Sequence, residues 1–352
     1  MLKKPYKFVK TCKQMNYGFI ALNITLAAMG STNVWAGDYS NHPEAKSFIQ
    51  QMKSEHKMPE EKLTKLLTNA KRQQSILDAI SRPAEKTKTW GEYQKIFLTP
   101  QRVKAAVTFY QNNLKAFKLA EQRYGVPAET ILAIIGVETF YGKNKGSYRV
   151  LDALATLGFD YPPRAKFFKS ELKHYLLMTE EQKVDPLSLK GSYAGAMGYP
   201  QFIPSSFRHY AVDFDNDGKI NLWNNPTDAI GSVANYFRRH GWQPGEAVAF
   251  PVSVKGKQFE KGIGKDLKPA STVSELQQLG WRYQHANLSG EAKARGVELQ
   301  GVKGKEYWLT LNNFYVITRY NHSTLYAMAV HQLSNQIKAK IKPKSKAKAK
   351  EA

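Results

Sequence analysis

Glu138 closes a long apolar run, Ile131-Leu-Ala-Ile-Ile-Gly-Val137, and is followed at once by Thr139-Phe-Tyr-Gly142. A carboxyl at the end of a buried helix, facing aromatic rings, loses water on its apolar side. Desolvation disfavours the charged form and raises the pKa, so such a group can hold a proton near neutral pH and give it to a leaving group. The plainer reading of the same residue is a partly exposed helix end before a glycine stop. A second cluster is Asp213-Phe-Asp-Asn-Asp-Gly-Lys-Ile220, which matches the opening of an EF-hand loop. Oxygens of Asp213, Asp215 and Asp217 converge on a hard cation, Gly218 allows the sharp turn, and the Lys219 carbonyl adds a ligand. The match then departs, because the twelfth position is Asn224 and the next carboxylate is Asp228. An enlarged loop closed by Asp228 is expected, binding Ca2+ in a stabilising role. The plainer alternatives are an Asx-rich turn, and first-turn dipole pairing for Asp228. No His-rich zinc pattern appears: the chain has no His-Glu-x-x-His and no cysteine pair.

The elements that carry these residues read as mainly helical. Ala45–Lys57 and Glu60–Ala70 have apolar residues at three-to-four spacing. Thr99-Pro100 is an N-cap followed by proline in the first turn. From there Val103, Val107, Tyr110, Leu114 and Phe117 predict one helix that Gly125 stops. Pro127 opens the helix that ends with Glu138. Residues 147–182 continue as helices broken at Tyr161-Pro-Pro163. Residues 188–203 carry three glycines, which predicts irregular backbone able to approach a ligand closely. Pro204–Val212 and Pro226–His240 read as helices. Val252–Val254, Glu306–Leu311 and Phe314–Thr318 read as strands of a small β-rich insertion. Ser323–Gln336 forms a final helix.

The 352 residues, 42% hydrophobic, are enough for a sizeable core. The net charge of +23 is uneven: residues 1–36 carry +5 and residues 337–352 carry +6, which leaves +12 spread through residues 37–336. A basic surface attracts polyanions, namely nucleic acid, acidic lipid or an anionic wall polymer. Five lysines, a mainly apolar run from Tyr17 to Met29 and Val34-x-Ala36 form a secretory leader cleaved after Ala36. The run is too short to span a bilayer. Secretion argues against nucleic acid as a partner. Cys12, the one cysteine, precedes the apolar run, so no lipid-anchor cysteine follows it. The cleaved protein is expected to be soluble in the periplasm, and its core must hold without disulfides. The Lys-rich segment 337–352 is expected to be a tail with at most weak membrane-surface contact.

Seven segments together resemble the lytic murein transglycosylase B family. They are Gly136–Gly142, Leu151–Leu157, Gly191–Gly198, Pro200–Ser206, Asp213–Trp223, Asp228–Phe237 and Arg319–Ser323. The resemblance covers roughly residues 45–336. It implies an α+β, mainly α fold with a lysozyme-like core, a helical domain, a small β-rich insertion and an EF-hand-like calcium loop. The expected division is leader 1–36, helical domain 37–126, catalytic core 127–242 with calcium loop 213–228, β-rich insertion 243–318, final core helix 319–336 and tail 337–352. The implied partners are peptidoglycan glycan strands, with other cell-wall enzymes beside them, and no organic cofactor.

The reaction the resemblance implies is cleavage of the bond between N-acetylmuramic acid and N-acetylglucosamine. The muramoyl 6-hydroxyl attacks its own anomeric carbon and leaves a 1,6-anhydro end. Hydrolysis needs a second carboxylate, whereas one residue, Glu138, can act here as acid and then as base. No acidic partner stands in the motifs around Glu138. By the same resemblance, Ser192 and Gln201 hydrogen-bond the sugar or its acetamido group, and Tyr199 and Tyr236 offer ring faces or hydroxyls. Arg164 faces a peptide or lactyl carboxylate, and Tyr320, Asn321 and Tyr326 line the cleft. The plainer readings place Ser192 in a turn, Tyr236 in the core and Asn321 at a helix cap. Relatives can carry a second arginine where this chain has Pro163, so only Arg164 is carried over. Two alternatives share the fold: a non-catalytic wall-binding protein, which predicts loss of the acid, and a hydrolytic muramidase.

Overall fold

The computed structural model describes residues 39–81, 88–283 and 288–342. The expected leader and the tail beyond Lys342 lie outside the described residues. The chain opens with α1 (Pro43–His56), α2 (Glu60–Asn69) and α3 (Gln74–Ile80). These pack with α8 (Val150–Asp160), α9 (Ala165–Glu181) and α10 (Pro204–Tyr210) around Phe48, Leu63, Leu154, Phe168 and Phe207.

A second core surrounds the helix that carries Glu138. It gathers α4 (Trp90–Phe97), α5 (Pro100–Asn112), α6 (Leu114–Tyr124), α7 (Ala128–Thr139), α11 (Pro226–Arg239), α13 (Asn312–Tyr320) and α14 (Thr324–Ile341). α7 is its axis. Of its twelve residues, Glu138 alone is not buried. A helix that is apolar all round must be covered on every side, and here α5, α6, α11 and α14 cover it.

Five strands form the third unit: β3 (Ala249–Val254), β4 (Ser271–Thr272), β5 (Trp281–Arg282), β6 (Lys293–Gly301) and β7 (Gly304–Thr310). Their order is β4-β6-β7-β3-β5, all antiparallel, with α12 (Val273–Gln278) against them. Trp281, Leu276 and Leu309 fill the small core between. A separate two-stranded pair, β1 (Tyr148–Arg149) and β2 (Lys190–Gly191), joins the Gly-rich segment to the start of α8.

Two expectations are corrected. The apolar stripe from Val103 to Phe117 belongs to two helices. Asn113 breaks it, with φ −124°, and its side-chain amide donates to the Phe109 carbonyl at 2.8 Å. Asparagine competes with the helix ladder in this way. Phe314–Thr318 is helical in α13, not a strand. Phe314, Ile317 and Thr318 are buried at three-to-four spacing against the second core. β propensity records fit to a pleated surface, and these residues meet a helical one. α14 runs past Gln336 to Ile341, so the first residues of the expected tail are helical. Just beyond it, Lys342 pairs with Glu121 at 2.7 Å and Glu129 at 3.3 Å.

Candidate active site

Glu138 lies in the last turn of α7, on the wall of a cleft of about 590 Å³. The chain behind it turns through three successive left-handed residues: Phe140 (φ 50°), Tyr141 (58°) and Gly142 (85°). Two of them are aromatic, and such positions cost roughly 1–3 kcal/mol each and persist only where the surroundings over-determine them. Part of that determination is visible in Thr139. Its hydroxyl lies 3.0 Å from the Tyr199 carbonyl and accepts the Gly142 N–H at 3.0 Å. Gly142 is also required sterically, because a Cβ there would sit 2.1 Å from the Tyr199 ring.

Tyr326, in the first turn of α14, donates its hydroxyl to Glu138 Oε1 at 2.5 Å. Burial, and after it the charge of Glu138, push the Tyr326 phenol well above its ordinary range. It therefore remains a donor at every working pH. Tyr320 is raised for the same first two reasons and donates to the Pro200 carbonyl at 2.6 Å. Tyr236 is buried, and its hydroxyl donates to the Arg319 carbonyl at 2.6 Å. Its ring stacks on His240 at 3.9 Å and meets Tyr320 edge-on at 4.8 Å. Tyr236, Tyr320 and Asn321 all line the cleft, so ring edges rather than the tyrosine hydroxyls are what Tyr236 and Tyr320 present.

The Gly-rich segment also lines the cleft. Ser192 is buried, and its oxygen accepts N–H bonds from Ala194 (3.3 Å) and Ala196 (3.1 Å). The turn reading therefore holds, and the hydroxyl proton is what Ser192 has to offer the cleft. Gln201 sits at φ 49° and donates its amide to Gly198 (2.9 Å) and Lys145 (3.3 Å) carbonyls, leaving its side-chain oxygen as an acceptor. Three expected residues do not line the cleft. Tyr326 is fully buried and reaches the site only through its bond to Glu138. Tyr199 packs behind Gly142, under the Lys145 ammonium. Arg164 lies over the rings of Phe167 (4.5 Å) and Phe168 (5.0 Å), and only Phe167 reaches the cleft.

The aspartate loop follows α10 in the chain. One carboxylate oxygen each from Asp213, Asp215 and Asp217 can be chosen so that all lie within 4.8 Å of one another. Oxygens sharing one Ca2+ at 2.3–2.6 Å can be up to about 5 Å apart, so the trio fits such an ion. Gly218 turns the chain at φ 86°, and Lys219 donates its N–H to Asp217 at 2.8 Å. Asp228 is not in the trio. It is fully buried and takes N–H bonds from Phe214 (2.8 Å) and Asn221 (2.7 Å), joining the two ends of the loop. Burial, and the charges of Asp215 and Asp213, raise its pKa against those bonds. The loop also reaches the end of α7. Leu222 O accepts from Tyr199 N at 2.9 Å, and Tyr199 O faces Thr139.

The sequence and fold match those of known proteins. Residues 40–335 match the transglycosylase SLT domain. The chain belongs to that family. It is 46% identical over 310 residues to the membrane-bound lytic murein transglycosylase B of Escherichia coli, covering 86% of this chain and 84% of that one. The crystal structure of the soluble lytic transglycosylase SltB1 from Pseudomonas aeruginosa superposes with a TM-score of 0.81 at 52% identity, over 85% and 99% of the two chains. Slt35 of Escherichia coli, solved in complex with calcium, gives 0.78 at 45% identity, over 86% and 95%. The chain is thus a lytic transglycosylase with the lysozyme-like fold of its family. None of its described helices is long and apolar enough to cross a membrane.

Sequence reasoning missed several groups in this transglycosylase cleft. Glu171 lines it and is buried, with a carboxyl raised by desolvation and held partly in check by Ser205. Its Oε2 accepts the Ser205 N–H at 2.9 Å. α10 has no side-chain cap of its own, so Glu171 serves as its cap from another helix. The signal was present: Phe168, Glu171, Leu172 and Tyr175 share one face, and an acid on an apolar stripe needs a partner. His240 lines the cleft as well. Burial lowers its pKa, and its Nδ1 lies 2.7 Å from the Tyr236 carbonyl, which assigns the proton of the neutral ring to Nδ1.

Proposed function

We propose that this transglycosylase cleaves the β-1,4 bond between N-acetylmuramic acid and N-acetylglucosamine with Glu138 as its single acid and base. Glu138 first protonates the glycosidic oxygen. The resulting carboxylate then takes the proton of the muramoyl 6-hydroxyl as that oxygen bonds to the anomeric carbon, so no water is consumed. The Tyr326 phenol orients the carboxyl and stabilises its charged form between the two transfers. Arg239 and Arg319 on the rim suit an anionic ligand, and Arg164 beside Phe167 would meet the lactyl or peptide carboxylate. Ser192, Gln201, Asn321 and the rings of Tyr236 and Tyr320 bind sugar, and Tyr199 contributes by backing the turn.

The pairing of the cleft residue Glu138 with the buried Tyr326, while the second acid Glu171 is tied to α10, carries this reading. Digesting purified peptidoglycan and weighing the soluble products tests it. Fragments ending in 1,6-anhydro-muramic acid are expected; reducing ends, heavier by one water, would replace it with hydrolysis. Glu171→Gln keeps an acceptor for Ser205 and is expected to retain turnover of the parental order and anhydro products. Collapse of turnover in a folded Glu171→Gln would make that residue a second catalytic carboxyl.

Calcium, held by Asp213, Asp215, Asp217 and the Lys219 carbonyl with Asp228 bracing the loop, would stabilise rather than react. A ligand at a hundred times its Kd adds about 2.7 kcal/mol to the folded state. Adding Ca2+ to metal-stripped protein is expected to raise the thermal midpoint, with Asp217→Ala losing most of the gain. An unchanged midpoint would remove the ion from the proposal. The expected setting is the periplasm after cleavage near Ala36, on peptidoglycan strands and beside other cell-wall enzymes.

A further inference from the structure

Arg102 is a cation without an acid. It sits in the first turn of α5, half-buried, with its Nε sealed from solvent and unbonded. Among the described residues no carboxylate pairs with it. Its guanidinium donates instead to two backbone carbonyls: Gly136 in α7, and Ile96 in α4 at 3.2 Å. It also lies over two rings, Phe97 at 5.1 Å and Phe140 at 4.9 Å. Withdrawing a guanidinium from water without a counter-ion is costly, and packing alone would be served as well by an apolar side chain.

The four contacts converge on one place. Gly136 is two residues before Glu138, and Phe140 is two residues after it in the left-handed turn. Gly136 leaves no slack, because a Cβ there would stand 2.5 Å from the Tyr141 hydroxyl. α4 packs against α14, which carries Tyr326. We infer that Arg102 is a positioning residue for the reaction: it fixes the end of α7 and its strained turn, so that the Glu138 carboxyl meets both Tyr326 and the glycosidic oxygen. A planar fork suits this task, since it can hold two carbonyls at a set angle while stacking on aromatic faces.

This inference rests on Glu138 as the acid, and anhydro products from the parental protein check that reading separately. The direct test is Arg102→Met, which keeps the apolar stem between the rings. With soluble glycan strands, kcat is expected to fall roughly 10- to 100-fold, the range a displacement of about 1 Å can cost. KM, and the affinity and stoichiometry for an N-acetylglucosamine oligomer, should stay at parental values. Parental kcat in Arg102→Met would overturn the inference, as would a loss of binding stoichiometry that matches the loss of rate. Should Arg102→Met fail to fold, Arg102→Lys decides. It keeps the charge but can hold only one carbonyl well, so reduced kcat at constant KM supports positioning, and parental kcat refutes it.

Discussion

Glu138→Gln is expected to stop turnover while the protein stays folded. The reaction asks one group to give a proton and then to take one, and an amide does neither. General acid or base catalysis each contributes about 10²–10⁴-fold, so the loss should reach at least roughly 10³-fold. Stability should change little. Glu138 is the one residue of α7 facing the cleft rather than the core, and glutamine keeps an oxygen for the Tyr326 hydroxyl. Release of anhydro-muropeptides measures the first part, and circular dichroism with a thermal scan measures the second. Near-parental turnover in a folded variant would sink the assignment of Glu138.

Tyr326→Phe should give the next largest change. The variant keeps the buried ring and deletes only the donor on Glu138 Oε1. A hydrogen bond to a charged group is worth about 1.5–3 kcal/mol, which corresponds to roughly 10- to 150-fold in rate if it acts in the transition state. The pH profile separates this role from packing. A donor favours the carboxylate, so its removal favours the protonated acid. The limb on which activity falls as Glu138 loses its proton therefore moves to higher pH. The parental phenol cannot itself produce that limb, because burial and the neighbouring carboxylate keep it protonated. Tyr320→Phe serves as the comparison, since its hydroxyl bonds the Pro200 carbonyl rather than the acid. Equal kcat and an unmoved profile in Tyr326→Phe would reduce Tyr326 to a packing residue.

Local pattern was enough to single out Glu138 and the aspartate loop as candidates. An apolar run ending in Glu138, three alternate aspartates before Gly218, and the Thr99, Pro127 and Gly125 signals at helix ends are all short-range features, and the structure sets those helix boundaries where the caps predict. Run composition alone decided less. The β-branched stretch at 314–318 fits a strand or a buried helix equally well, and only the core it packs on selects α13. What tertiary structure alone decided is which distant groups meet. The Tyr326 hydroxyl comes to Glu138 across 188 residues, Glu171 reaches Ser205 across 34, and Arg102 reaches the carbonyl before the acid across 34. Periodicity states which face of an element is buried, but the partner on that face depends on how all the covering helices close around α7. The signal that singles out Glu138 is therefore written locally, and its orientation is a property of the packed core.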